Sequence, residues 1–293
     1  MSRQPQQASG WLDHLKSWAL YPLPQHAISR ATFRITRIRT PWFKNALIRR
    51  FADAYGVDWT EARYQRPEDY PDFNAFFTRE LRADARPLEG DAETIVSPAD
   101  GHISQIGSIN GDAVLQAKGH SYSVVDLLGG DEQRAAPFRD GRFITVYLSP
   151  RDYHRVHMPL GGRLRETVYV PGRLFSVAAH TVRTIPRLFA RNERLVALFD
   201  SDAGPMAVVL VGAINVAAIE TAWSGLVTPP PKPGVEVSDM AQAAITLARG
   251  AEMGRFNMGS TVIVLFGKER VDWLASLAPE QAVRMGQTLG RRN

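Results

Sequence analysis

The sequence predicts an α+β protein with a β-rich, sandwich-like or barrel-like core that follows an N-terminal amphipathic helical region. Apolar residues in the first 60 positions recur at helical spacing, whereas from about residue 95 the chain forms short β-rich stretches between glycines and prolines. A folded core is expected because 44% of the 293 residues are apolar and 22% are charged. The predicted division is a helical region over 1–90 and a β-rich domain over 91–293.

The helical region combines tryptophans with positive charge. Apolar side chains recur at helical spacing from Trp11 to Trp18, and Pro22 ends the pattern. Residues 1–66 hold 11 Lys and Arg against 4 Asp and Glu, although the whole chain carries only +5. Such helices could lie on an anionic membrane surface or pack on the core with a solvated basic face. Nucleic-acid binding is less favoured because no base-contacting motif is present.

The β-rich part contains five predicted strand runs, at 101–109, 141–148, 195–199, 207–218 and 261–266. The longest apolar stretch, 206–219, is too short for a membrane span and predicts one or two buried strands. Residues 228–234 predict a stiff proline-rich loop, and 271–292 predict a terminal helix and tail.

Cysteine is absent from the whole sequence. This excludes disulfides, thiolate metal sites and a cysteine nucleophile, so any nucleophile is oxygen or nitrogen. The polar N-terminus lacks the features of a signal peptide. We therefore expect the protein to stay in the compartment where it is made.

Three short segments hold side chains that could carry chemistry. Asp100 lies in a Ser-Pro-Ala-Asp-Gly sequence, which is also a common turn. His154 and His157 follow a predicted strand and could be zinc ligands, a base and its partner, or buried hydrogen-bonding residues. Ser260 follows Gly259 at a strand start, which alone indicates only a turn.

Taken together, Asp100, His157 and Ser260 could form a hydrogen-bonded triad that raises the nucleophilicity of the serine hydroxyl. The Gly-x-Ser-x-Gly elbow of an α/β-hydrolase is absent. The residues leave two alternatives open: a serine-triad hydrolase, or a metal-dependent hydrolase that uses His154, His157 and Asp100.

Eight motifs occur in one order between about residues 70 and 270. They are FNAFFTREL (73–81), RPL (86–88), SPADG (97–101), KGHSYSVVDLLG (118–129), YLSPRDYHRVHMP (147–159), PGRLFSV (171–177), FARNER (189–194) and the segment 250–261, which ends in GST. On these motifs the chain resembles the phosphatidylserine decarboxylases of the bacterial type. One departure is Met258 where leucine is usual, a swap that conserves volume and apolarity.

The resemblance implies a proenzyme that cuts itself between Gly259 and Ser260. Ser260 Oγ, activated by His157 with Asp100 orienting the imidazole, would attack the carbonyl of Gly259. A β chain of residues 1–259 and an α chain of residues 260–293 would result, with Ser260 converted to a pyruvoyl group. His154 would bind the substrate carboxylate or return a proton after decarboxylation.

The resemblance also implies the substrate, the cofactor and the location. Phosphatidylserine would be decarboxylated to phosphatidylethanolamine by the pyruvoyl carbonyl, so neither pyridoxal phosphate nor a metal is expected. The helical region would then bind an anionic membrane surface. The protein would be a peripheral protein on the cytoplasmic face of the cell membrane. A homodimer is expected, and nucleic acid is not. A non-catalytic lipid-binding relative is a further alternative.

Overall fold

The structure is a computed structural model that describes residues 10–18, 20–117, 119–214, 218–228, 234–258 and 261–293. Short 3₁₀ turns cover Pro67–Asp69, Ala136–Phe138 and Ala241–Ala243. The α-helices are α1 (Trp11–Trp18), α2 (Gln25–Ile35), α3 (Pro41–Tyr55), α4 (Phe73–Phe77), α5 (Val124–Leu127), α6 (Glu132–Ala135), α7 (Ala179–Thr184) and α8 (Leu188–Arg191).

Eighteen strands form the β-rich part of the described chain. They are β1 (Thr94–Val96), β2 (Gly101–Ser108), β3 (Ala113–Ala117), β4 (His120–Ser123), β5 (Arg142–Tyr147), β6 (Arg155–His157), β7 (Gly162–Val170), β8 (Arg194–Ser201), β9 (Gly204–Val211), β10 (Ala218–Thr221), β11 (Gly225–Leu226), β12 (Glu236–Asp239), β13 (Thr246–Leu247), β14 (Glu252–Asn257), β15 (Thr261–Phe266), β16 (Val271–Trp273), β17 (Ala282–Val283) and β18 (Thr288–Arg292).

A nine-stranded antiparallel sheet forms the centre of the molecule. Its order is β12-β7-β8-β9-β15-β5-β2-β17, and β13 also pairs with β7. A four-stranded sheet (β11-β10-β14-β6), a three-stranded sheet (β1-β18-β16) and the β3–β4 hairpin surround it. β15 lies between β9 and β5, and all six of its residues are buried. Its run of β-branched and apolar residues suits a strand covered on both faces.

The helical region has its own small core, which we call the phenylalanine cluster. α3 begins with Pro41 and ends at Tyr55, and the following Gly56 caps it in the left-handed conformation with a φ of +65°. Apolar residues from one face of α3 then pack against α4 and its neighbours. The cluster consists of Ile48, Ala52, Val57, Tyr70, Phe73, Phe76 and Phe77.

The predicted α+β class is confirmed, with helices concentrated at the N-terminus, and the large sheet does not close into a barrel. The apolar stretch 206–219 supplies β9 and the first part of β10, as predicted. Most of the predicted loop 228–234 lies outside the described residues. Among the helices that the structure describes, none has the length and apolar character that crossing a bilayer requires.

The predicted terminal helix over 271–292 is wrong, because this segment forms β16, β17 and β18. β18 pairs with both β1 and β16, so distant partners decide its conformation. Gly290 allows this pairing, since a Cβ there would lie 2.3 Å from the carbonyl oxygen of Asp272. Val271, Val283 and Leu289 are buried, which anchors the segment to the core.

Candidate active site

The predicted cleavage site lies between two strands that belong to different sheets. β14 ends at Asn257 in the four-stranded sheet, and β15 begins at Thr261 in the nine-stranded sheet. Gly259 and Ser260 themselves lie outside the described residues. Thr261 pairs with Tyr147 on one side and Val211 on the other, so the core holds the chain directly after the predicted site.

His157 is held at the end of β6 by three hydrogen bonds. Its backbone N–H donates to the Pro98 carbonyl at 2.8 Å, and Nδ1 donates to the Gly250 carbonyl at 2.9 Å. A carbonyl oxygen can only accept, so the proton lies on Nδ1 and Nε2 accepts from the Tyr153 hydroxyl at 3.0 Å. Burial lowers the pKa of His157 below its ordinary 6.5. The side chain is therefore neutral at neutral pH, with a basic Nε2.

Asp100 is fixed by Arg86 and by the C-terminal segment. Arg86 donates to both carboxylate oxygens, at 2.9 Å from Nε and 2.5 Å from a terminal nitrogen, and the Met285 N–H donates at 2.8 Å. Arg86 also donates to Glu61 at 2.7 Å. Although burial opposes it, hydrogen bonding to Asp100 and Glu61 raises the pKa of Arg86. The guanidinium thus stays charged and orients the aspartate.

The structure brings Asp100 and His157 into one region without joining them directly. The His157 backbone contacts Pro98, two residues before Asp100, and the negative charge of Asp100 acts on the imidazole. Both ring nitrogens have other partners, and no hydrogen bond links these two described side chains. The triad with Ser260 therefore stays a prediction.

His154 lies beside the strand that leads to the predicted site. Its carbonyl accepts from the Phe256 N–H at 3.0 Å, whereas His157 pairs further back along β14, with Glu252. The His154 ring is fully buried, with the Phe77 ring centroid 4.0 Å away. Nδ1 donates to the Asp152 carbonyl at 2.8 Å, and Nε2 has no partner among the described residues. Burial lowers the pKa of His154 to about 3.

The buried neutral His154 predicts a loss of stability in acid. Its folded pKa lies below the ordinary 6.5, so the unfolded chain binds more protons as pH falls from 6.5 toward 3. At pH 5 this residue lowers the free energy of unfolding by about 2 kcal/mol relative to pH 7.5. Chemical denaturation of an uncut Ser260→Ala chain at both pH values measures the effect.

His154→Asn is the comparison variant for that measurement, because an amide can replace the Nδ1–H donor without titrating. We expect the pH dependence of unfolding to shrink by the same amount, leaving the part that other groups with shifted pKa values contribute, among them His157 and His180. Equal pH dependence with and without His154 would contradict the assignment of a strongly lowered pKa.

Three residues of the site were not predicted from the sequence, although each lies in one of the eight motifs above. They are Arg79, Arg86 and Tyr153. Arg79 is 5% exposed, and its guanidinium donates to the Arg151 carbonyl at 3.1 Å. Within the described chain no carboxylate forms an ion pair with Arg79, and burial lowers its pKa. The position of Arg79 within the aromatic run 73–81 could have indicated a buried cation.

A metal centre finds no ligand set in the described part of the chain. No three His, Asp or Glu side chains there are grouped so that they could hold a metal ion. Asp100, His154 and His157 each contact other protein groups instead. The metal-dependent hydrolase alternative therefore gains no support from these residues.

Comparison with known proteins gives a consistent result over almost the whole chain. Residues 73–291 match the family model described as phosphatidylserine decarboxylase, and residues 15–56 match a model described as PSD. The chain is 61% identical over 255 residues to the phosphatidylserine decarboxylase proenzyme of Alkalilimnicola ehrlichii, covering 87% of this chain and 88% of the relative. The proenzyme of Azotobacter vinelandii is 56% identical, covering 92% and 95%.

Proposed function

Because the chain belongs to the phosphatidylserine decarboxylase family, we propose that it decarboxylates phosphatidylserine to phosphatidylethanolamine with a pyruvoyl group made from its own Ser260. The enzyme is a decarboxylase made as a proenzyme. The observation that best supports the site assignment is the fixed tautomer of His157, in which Nδ1 carries the proton and the neutral Nε2 can act as a base.

In the proposed self-cleavage, Ser260 Oγ attacks the carbonyl carbon of Gly259 and the peptide C–N bond breaks, giving an ester. His157 Nε2 exchanges its Tyr153 partner for the hydroxyl, takes the hydroxyl proton and passes it to the departing nitrogen of residue 260. Loss of the Cα proton of residue 260 to a base then eliminates the carboxylate of Gly259 and leaves dehydroalanine at 260. Water adds, ammonia leaves, and the pyruvoyl group remains at the start of the 34-residue chain 260–293.

The fold supports retention of the short chain after cleavage. β15 pairs with β5 and β9 along its whole length, and β18 pairs with β1. Met285 N–H binds Asp100, and Arg284 forms an ion pair with Glu61 at 3.0 Å. The chain 260–293 is thus an internal part of the sheet and of the site.

A pyruvoyl carbonyl supplies an electrophile for the substrate amine and an acceptor for the electrons that departing carbon dioxide leaves. The surroundings fit such a group, because the chain after residue 260 is fixed by β15. In addition, the buried Nε2 of His154, which lies beside β14, has no hydrogen-bond partner among the residues that the structure describes. We assign His154 to the substrate carboxylate. An anion there raises the pKa of His154, so Nε2 gains a proton that it can later return to carbon.

Intact mass under denaturing conditions tests the proposal. We expect two chains divided after Gly259, the shorter one carrying a pyruvoyl instead of a seryl terminus, and release of carbon dioxide from phosphatidylserine vesicles. One uncut chain of 32.5 kDa with hydrolase activity would favour the serine-triad alternative. Anionic vesicle binding without carbon dioxide release would favour the non-catalytic relative.

We assign residues 1–90 to membrane association and 91–293 to catalysis. α1 supports this because it contacts the protein through its polar side: Ser17 Oγ hydrogen-bonds Thr184 Oγ1 at 2.6 Å, and Asp13 pairs with Arg183 at 2.9 Å. Its apolar side chains face solvent, with Trp11 73% and Trp18 74% exposed. Large apolar groups turned outward in this way suit a lipid interface.

Arg30 and Arg34 are exposed on α2, and Trp42 at the start of α3 is 75% exposed. Anionic lipids would attract these arginines, so we propose peripheral binding at the cytoplasmic face of the cell membrane. The homodimer stays a prediction that rests on the family resemblance.

Replacing Trp11 and Trp18 together by serine is expected to weaken binding to phosphatidylserine-containing vesicles on the order of tenfold, because two large apolar contacts with lipid are lost. Vesicle co-sedimentation measures this. Self-cleavage should proceed unchanged, since neither side chain contacts the site. Leu274→Ser, at a 40% exposed apolar residue of the C-terminal segment, is the matched control. Equal vesicle affinity for the double variant and the control would contradict the membrane assignment.

A further inference from the structure

Met258, directly before the predicted cleavage site, has an unusual backbone conformation. Its φ is +87°, in the left-handed region that residues other than glycine rarely adopt. An isolated chain would seldom populate this conformation at methionine. The surrounding protein must therefore hold it.

One support is the phenylalanine cluster of the helical region. The partly buried Met258 side chain packs against this cluster, which lies outside the β-rich domain. Met258 is thus the point at which the end of β14 meets the helical region. Methionine, like the leucine that is usual here, fills such an apolar contact.

A second support is a hydrogen bond between Asn74 and Asn257. Asn74 Nδ2 donates to Asn257 Oδ1 at 2.7 Å, and Asn257 is fully buried at the end of β14. Asn74 is itself well fixed on α4. Asp72 caps that helix by accepting from the Ala75 N–H at 2.9 Å, and the Asn74 N–H donates to the Thr36 carbonyl at 3.0 Å.

We propose that Asn74 is a positioning residue for self-cleavage, which holds Asn257 and Met258 so that the Gly259–Ser260 peptide bond is presented to the Ser260 hydroxyl. The inference rests on the proposed function. Its consequence is an order of events: the chain cuts itself only after α4 has docked on the end of β14. An incompletely folded chain, in which α4 is not docked, would therefore remain whole.

The first test is the rate at which newly synthesised chains release residues 260–293. Asn74→Ala is expected to slow this release about tenfold, because the left-handed conformation at Met258 loses a support. Asn45→Ala is the matched control, since Asn45 lies in the same helical region and its side chain hydrogen-bonds Lys44 and Glu68 instead of β14. Thermal unfolding in a Ser260→Ala background checks that both variants fold, and Asn74→Ser replaces the alanine variant if that variant does not.

A second test separates positioning from general stabilisation. Glycine adopts a φ near +87° without penalty, so a chain carrying Met258→Gly no longer needs the Asn74 contact. In that background we expect Asn74→Ala to change the cleavage rate less than about twofold. A tenfold effect in both backgrounds, or no effect in the native background, would overturn the role of Asn74. A native chain that is never cut would instead overturn the proposed function.

Discussion

Replacing Ser260 by alanine is expected to leave one chain of 32.5 kDa without decarboxylase activity. The hydroxyl is the only group in the proposal that can convert the peptide bond at Gly259 into an ester, and it is also the precursor of the pyruvoyl carbonyl. Both cleavage and turnover should therefore fall to background together. Denaturing mass spectrometry and carbon dioxide release from phosphatidylserine vesicles give the two measurements.

Ser238→Ala is the matched control, because Ser238 is exposed on the edge strand β12. That variant should be cut and active like the native chain. A Ser260→Ala protein that is still cut after Gly259, or still active, would refute the pyruvoyl mechanism. The uncut chain should keep its fold, since β15 begins only at Thr261 and its pairing does not depend on the hydroxyl.

The sequence was sufficient to predict the central strand β15 but not the strands of the C-terminal segment, and the reason is physical. β15 is a continuous run of β-branched and apolar residues, and a strand buried on both faces favours that composition whatever its neighbours. β16, β17 and β18 have two to five residues each. β17 and β18 pair with β2 and β1, which lie far away in the chain, and β16 pairs with β18. Local pattern carries little information about such pairing.

The same limit applies to the site. Asp100 and His157 stand out in the sequence because of their residue types and motifs. Their partners in the structure are Arg86 and the Gly250 carbonyl, and the latter is 93 residues away from His157. A sequence does not indicate which backbone carbonyl will accept a hydrogen bond. Nor does it indicate whether Arg86, next to a proline, contacts Asp100 or faces solvent. The tautomer of His157 could therefore be inferred only from the structure.

The network at Asp100 links three parts of the protein. Glu61 and Arg86 belong to the helical region, Asp100 belongs to the β-rich domain before the predicted cleavage site, and Arg284 and Met285 belong to the chain 260–293. Asp100 is therefore fixed only when the three parts are assembled. We expect the pairing of β15 with β5 and β9 to survive cleavage, so that the same network serves both self-cleavage and turnover.

Replacing His157 by alanine is expected to slow self-cleavage about 10²–10⁴-fold, the usual contribution of a general base. The reason lies in the two contacts of its ring: Gly250 fixes the proton on Nδ1, and Nε2 keeps the lone pair that the Ser260 hydroxyl requires. The time course of chain cleavage measures the effect. His120→Ala, in the β3–β4 hairpin, is the matched control and should be cut at the native rate.

The pH dependence of cleavage distinguishes a base from a structural histidine. Burial lowers the pKa of His157 below 6.5, so the neutral imidazole persists through neutral pH and the native rate should fall only as pH drops below 6.5. The residual rate of His157→Ala should lack that fall. If the alanine variant is slow but keeps the native pH profile, His157 only supports the structure, and the base must be another group, for which His154 beside Phe256 is the first candidate.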